Sequence, residues 1–202
     1  MRDTAAWAFR ARGAPDRQYE GGRLALMIAV ATLPAAVVGL FFKEEVERLF
    51  VSPRVVGFGL ILSGTLLWWT RRGRGKTQRG QEISLLVASL VGLAQAVAII
   101  PGISRSGSTI AMGLFCRLEQ RFAARFSFLI SIPAIFGSVV LERKELLYLG
   151  GSRLFPLVIG VAASTLTGVL AIKWLLMVVN RGGLYLFSYY CWILGLITLL
   201  LL

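Results

Sequence analysis

The segment Ile100-Pro101-Gly102-Ile103-Ser104-Arg105-Ser106-Gly107-Ser108-Thr109 concentrates chemistry that the surrounding apolar chain lacks: four hydroxyls, one guanidinium, two glycines and a proline. Arg105 carries a planar fork that matches the oxygens of phosphate, and Ser104, Ser106, Ser108 and Thr109 add hydroxyl donors. Pro101 removes one helix donor, and Gly102 and Gly107 allow backbone shapes that other residues resist. The turn opens into a short apolar helix over Ile110–Leu118, whose N-terminal N–H groups and positive dipole end point back at the break. Such an arrangement describes an oxyanion pocket, most plausibly for phosphate or pyrophosphate. A packing turn is the competing reading, because Ser, Gly and Thr clusters in membrane helices also mediate close helix contact. Gln95, six residues before Pro101, is an intramembrane amide that serves either ligand contact or helix association.

The elements around this segment are those of a membrane protein. Of 202 residues, 56% are hydrophobic and only 16% charged, and mean hydropathy is +0.74. A soluble chain carries about a quarter charged residues, so this one cannot cover a globule with polar surface. The formal charge of +12 falls in short clusters between apolar runs, which reads as membrane topology and not as nucleic-acid binding. Histidine is absent, and the two cysteines, Cys116 and Cys191, lie in apolar stretches. A disulfide framework, a zinc site and histidine-based catalysis within this chain are thereby excluded.

A bilayer core needs roughly 20 apolar residues in helix. Five stretches approach that length: Leu24–Phe42, Val55–Trp69, Phe122–Leu141, Phe155–Val179 and Leu184–Leu202. Trp68 and Trp69, followed by Arg71 and Arg72, mark an interfacial belt and anchor. Residues 83–118 differ: Ile83–Ile100 is apolar, Pro101-Gly102 breaks it, and Ile110–Leu118 would cover only about 14 Å. Either Ile83–Ile100 crosses, or 83–118 is a re-entrant hairpin. With the N-terminus in the cytoplasm, the hairpin puts fifteen Lys and Arg inside and six outside; a crossing gives thirteen and eight. The positive-inside rule favours the hairpin. The expectation is an all-α integral membrane protein, one domain over 1–202, with about five spans, a basic cytoplasmic loop at 1–23 and the re-entrant hairpin at 83–118. The C-terminus then lies outside. Glu44, Glu45 and Glu47 read as a solvated loop, and Gly160, Ser164 and Gly168 as a packing face.

The run Gln95-Ala96-Val97-Ala98-Ile99-Ile100-Pro101-Gly102-Ile103-Ser104-Arg105-Ser106-Gly107-Ser108-Thr109 resembles the second signature of the undecaprenyl-diphosphatase family, bacterial membrane enzymes associated with bacitracin resistance. The likeness extends from about Gly22 onward and takes in Leu33-Pro34-Ala35-Ala36 and Phe126-Ser127-Phe128-Leu129. It implies inverted repeats, each with a re-entrant hairpin, whose tips meet near the midplane facing the extracytoplasmic side. The resemblance further implies hydrolysis of undecaprenyl diphosphate to the monophosphate carrier of envelope synthesis, in a multi-pass protein of the bacterial plasma membrane. Arg105, Ser104 and Thr109 would be the catalytic residues, and Ser106, Gly102, Gly107, Ser108 and Gln95 the substrate-binding ones. A polyprenyl diphosphate lipid is then the partner, with a homodimer among the expected states. A divalent metal, Mg or Ca, is implied by the resemblance alone. The glutamate-rich signature and histidine of the family's first repeat have no match here, so this chain is expected to lack the N-terminal part and the metal ligands. Transport of a lipid phosphate or anion, and a catalytically inactive fragment, remain the alternatives.

Overall fold

The structure, a computed structural model, describes residues 21–73, 83–141 and 154–201. Among the described residues eight α-helices follow one another: α1 (Gly21–Phe41), α2 (Lys43–Phe50), α3 (Pro53–Trp69), α4 (Leu85–Val97), α5 (Arg105–Phe115), α6 (Gln120–Leu141), α7 (Leu154–Asn180) and α8 (Phe187–Leu201). Single 3-10 turns at Thr70–Gly73 and Leu184–Leu186 extend α3 and precede α8. No strand occurs among the described residues. The basic segment 1–23 lies outside them, except that its last three residues already belong to α1.

Among the described residues four helical stretches are long and apolar enough to cross a membrane: 22–41, 120–140, 155–180 and 184–201. A fifth arises if Lys43–Phe50 and Pro53–Arg72, bent by 93° at their junction, count as one span. These coincide with the five apolar runs of the sequence. The glutamates at 44, 45 and 47 sit not in a loop but in α2, where Glu44 and Glu45 occupy the first turn and Arg48 the last. That order complements the helix dipole, and Lys43 pairs with Glu47 across one turn at 3.6 Å.

The 13-residue α4 and 11-residue α5 reach only about 20 and 16 Å, short of the roughly 30 Å hydrocarbon core. Ile83–Ile100 therefore supplies no full crossing helix. The two short helices pack on each other, with the break at 98–104 between them. The second one begins five residues earlier than apolar periodicity indicates, because Arg105–Thr109 form its first turns and do not precede it. It also ends earlier, at Phe115, on a Schellman motif. Arg117 adopts φ 64°, Leu118 N–H donates to the Gly113 carbonyl at 3.0 Å, and Arg117 N–H donates to that of Leu114 at 3.0 Å. These bonds satisfy carbonyls that the helix end leaves open, and the buried Leu118 closes the motif from below.

Two helix pairs carry the fold. The first, α3 against α8, approaches closely through glycines: a Cβ on Gly195 would lie 2.9 Å from the Gly57 carbonyl oxygen. Trp68 at the end of this pair meets Tyr185, Tyr189 and Trp192, with ring centroids 5.5–6.2 Å apart, and the Arg71 guanidinium lies 5.2 Å from the Trp68 ring centre. The aromatic belt is thus a packed cluster with a cation over its face. The second pair, α1 against α4, closes over Gly92, beside the Ala31 backbone. The buried core runs from Met27 and Ala31 through Val91 and Ile110 to Phe126 and Ile130. Helix α7 lies at the periphery against α6. Its expected packing face has no neighbour: nothing described comes within 4 Å of a Cβ built at Gly160 or Gly168.

Candidate functional site

The break between α4 and α5 folds as it does for local reasons. Gly102 takes φ +87°, a conformation that costs other residues roughly 1–2 kcal/mol, and a side chain there would run into the Val56 carbonyl. Ser104 is extended and caps α5: its hydroxyl accepts from Gly107 N–H at 3.1 Å, and its carbonyl accepts from Ser108 N–H at 2.9 Å. Gly107 has to be small, since a Cβ there would meet the Ser104 Oγ at 2.9 Å. With the cap made, the N–H groups of Arg105 and Ser106 remain without a backbone partner among the described residues. They are the open donors at the positive end of α5.

The turn is held from across the fold. Ser63, midway along α3 and only 2% exposed, donates its hydroxyl to the Gly102 carbonyl at 3.1 Å. The same oxygen accepts from Ser104 N–H at 2.9 Å. Sequence reading missed Ser63, which looks like one more hydroxyl in an apolar span. It also missed Ser127, whose hydroxyl lies 2.5 Å from that of Thr109.

The predicted residues separate into distinct environments. Arg105 is exposed, and its guanidinium forms no hydrogen bond or ion pair with the described residues. Ser104, Ser106, Gly102 and Gly107 line a cleft of about 420 Å³, bounded by Leu60 and Leu67 of α3 and by Phe187, Tyr190 and Cys191 of α8. Ser106 is half-buried there, and its hydroxyl has no partner among the described residues. Thr109 and Ser108 are buried on α5, and the Thr109 hydroxyl bonds the Arg105 carbonyl at 2.9 Å as well as Ser127. Gln95, 1% exposed, has neither amide atom hydrogen-bonded among the described residues. Arg105 does not itself line the cleft; it is the residue between the lining Ser104 and Ser106. An exposed cation and two open N–H donors thus stand next in the chain to a mostly apolar cleft, which suits an amphipathic ligand with an anionic head.

Oxygen-ligated divalent metals need several carboxylates or carbonyls. Among the described residues no group of three or more His, Cys, Asp or Glu could hold one, so they offer no carboxylate cluster for that ion.

A membrane protein with a broken helical hairpin and an open guanidinium at its tip is the class that the fold and site define. The family profile described as "Bacitracin resistance protein BacA" matches residues 2–197, and the chain belongs to that family. An undecaprenyl-diphosphatase of Carboxydothermus hydrogenoformans is 44% identical over 184 residues, covering 89% of this chain and 70% of that protein. One of Desulforapulum autotrophicum is 43% identical over 178 residues, 88% of this chain and 64% of its own. One of Methanothermobacter thermautotrophicus is 43% identical over 181 residues, 86% of this chain and 97% of its own. The chain thus spans about two thirds of the first two and nearly all of the third.

Proposed function

We propose that the protein is a multi-pass membrane hydrolase that converts undecaprenyl diphosphate to undecaprenyl phosphate and phosphate, and so recycles the lipid carrier of cell-wall synthesis. The observation that carries the reading is the unpaired Arg105 guanidinium on the first residue of α5, between the cleft-lining Ser104 and Ser106. Membership of the bacitracin-resistance family and the relatives named undecaprenyl-diphosphatase support it. The diphosphate sits at the tip, its oxygens taking the guanidinium fork and the N–H groups of Arg105 and Ser106. The polyprenyl chain leaves along the cleft walls of α3 and α8.

Phosphoryl transfer demands positioning and charge neutralisation more than covalent chemistry. A water oxygen bonds the terminal phosphorus as the bridging P–O bond breaks; negative charge is spread over the oxygens of the transferred group and builds on the bridging oxygen, which leaves with the polyprenyl phosphate. Arg105 and the helix dipole offset that charge in a site walled by apolar side chains, where such interactions are stronger than in water. Ser106 is the motif hydroxyl free to bond the substrate from the cleft. Ser104 shapes the turn as the helix cap, and Thr109 holds the first turns of α5 against α6.

In this reading the N-terminus is cytoplasmic and the C-terminus outside, on the charge asymmetry of the loops. A homodimer is part of the same proposal. The test is direct: purified protein is given undecaprenyl diphosphate with Mg, with Ca, or with chelator, and released phosphate is measured. Phosphate release lost in Arg105→Ala supports the hydrolase. Substrate movement across vesicles without release points to transport.

A further inference from the structure

Residues Gly59, Ser63 and Leu67 recur every fourth position along α3 and therefore share one face. All three meet the hairpin turn. Gly59 lies under Pro101 and Gly102, where a Cβ would overlap their backbone. Ser63 bonds the turn on both sides of Ile103, at the Gly102 carbonyl and the Ser104 N–H. Leu67 packs beside Gly107, within 3.3 Å of where its Cβ would be, and lines the cleft. Room, hydrogen bonds and wall are supplied by one helix face, and Ser63 is its polar centre.

We propose that Ser63 is a positioning residue for phosphoryl transfer. It never touches substrate; its hydroxyl fixes the residue that caps α5 and thereby the direction of the Arg105 fork. The role follows from what one oxygen does here. A single hydroxyl both donates and accepts across 39 and 41 residues, bridging two backbone groups that no helix ladder satisfies. Those groups flank the last residue before the cap, so their position sets where the open N–H donors and the guanidinium begin. α3 is itself locked to α8 through Gly57, Gly64 and Gly195, so the clamp is anchored to a rigid pair. Misplacing a binding group by about 1 Å can cost 100-fold in rate. The cleft, which holds the apolar part of the ligand, is left in place when the hydroxyl is removed.

The proposal rests on the hydrolase reading and predicts a split between kinetic constants. Ser63→Ala lowers kcat about 10- to 100-fold while KM for undecaprenyl diphosphate stays within threefold. Ser63→Thr, which keeps the hydroxyl, recovers kcat to within about fivefold of wild type. Amide exchange of the 101–107 segment is faster in Ser63→Ala and unchanged in Ser138→Ala, a hydroxyl removed from the exposed face of α6. Where Ser63→Ala yields no folded protein, Ser63→Cys, close in size but a poor hydrogen bonder, shows the same fall in kcat. An unchanged kcat in Ser63→Ala, or an equal loss in Ser63→Ala and Ser63→Thr, overturns the positioning role while the hydrolase stands. Wild-type protein that releases no phosphate overturns both.

Discussion

The hydroxyls of Thr109 and Ser127 lie 2.5 Å apart in the buried contact between α5 and α6. Thr109 also bonds the carbonyls of Arg105 and Ser106, at 2.9 and 3.3 Å. A side chain with three such neighbours fixes the first turns of α5, the turns that carry the guanidinium.

Thr109→Val keeps the shape and removes the hydroxyl, leaving Ser127 without this partner. The expected loss of stability is about 1–3 kcal/mol, read as a lower midpoint in denaturant titration of detergent-solubilised protein. The double variant Thr109→Val with Ser127→Ala loses less than the sum of the single changes, because the two hydroxyls act as a pair.

Gly102→Ala places a side chain at φ +87° and drives it into the Val56 carbonyl. It destabilises by more than about 2 kcal/mol, measured in the same titration. The comparison is Gly137→Ala, at a position with open space around it, which stays within about 0.5 kcal/mol of wild type or gains slightly.

Much of this architecture is legible from residue order, and the misses have physical causes. Apolar run length located the four or five candidate spans of the described residues, because the bilayer imposes length directly on sequence. The boundaries of α5 were hidden: Arg105–Thr109 is polar, so hydropathy assigns it to the loop, yet Ser104 caps a helix that starts there. The Ser63 clamp was invisible, since nothing local marks which of several serines reaches a turn some forty residues ahead. The helix Lys43–Phe50 was readable from its charge order and Lys43–Glu47 spacing, but proximity to a span end suggested a loop. Motif chemistry drew Ser104, Ser106 and Thr109 into one group; burial divides them, with Ser106 in the cleft and Thr109 in the helix contact.

Gln95 is buried with both amide atoms unbonded, a cost of about 1–3 kcal/mol for each uncompensated group. Gln95→Met therefore raises stability by about 1 kcal/mol. If the amide is kept for the substrate head, KM for undecaprenyl diphosphate rises about tenfold in the same variant. Stability gained together with affinity lost is the expected pair, from unfolding titration and steady-state kinetics.

Cys191 lines the cleft on α8. Cys191→Phe fills the space assigned to the polyprenyl chain, so KM for undecaprenyl diphosphate rises about tenfold with kcat within threefold, the pattern of lost uniform binding. A short-chain prenyl diphosphate, with less apolar length to seat, shows a smaller change in KM.

The hydrolase reading depends on Arg105 meeting the diphosphate. Steady-state phosphate release from undecaprenyl diphosphate, compared between wild type, Arg105→Lys and Arg105→Ala, tests this most directly. Loss of charge and fork together in Arg105→Ala lowers kcat/KM by about a thousandfold or more, and Arg105→Lys, which keeps the charge, falls between the two. Equal phosphate release by wild type and Arg105→Ala contradicts the assignment.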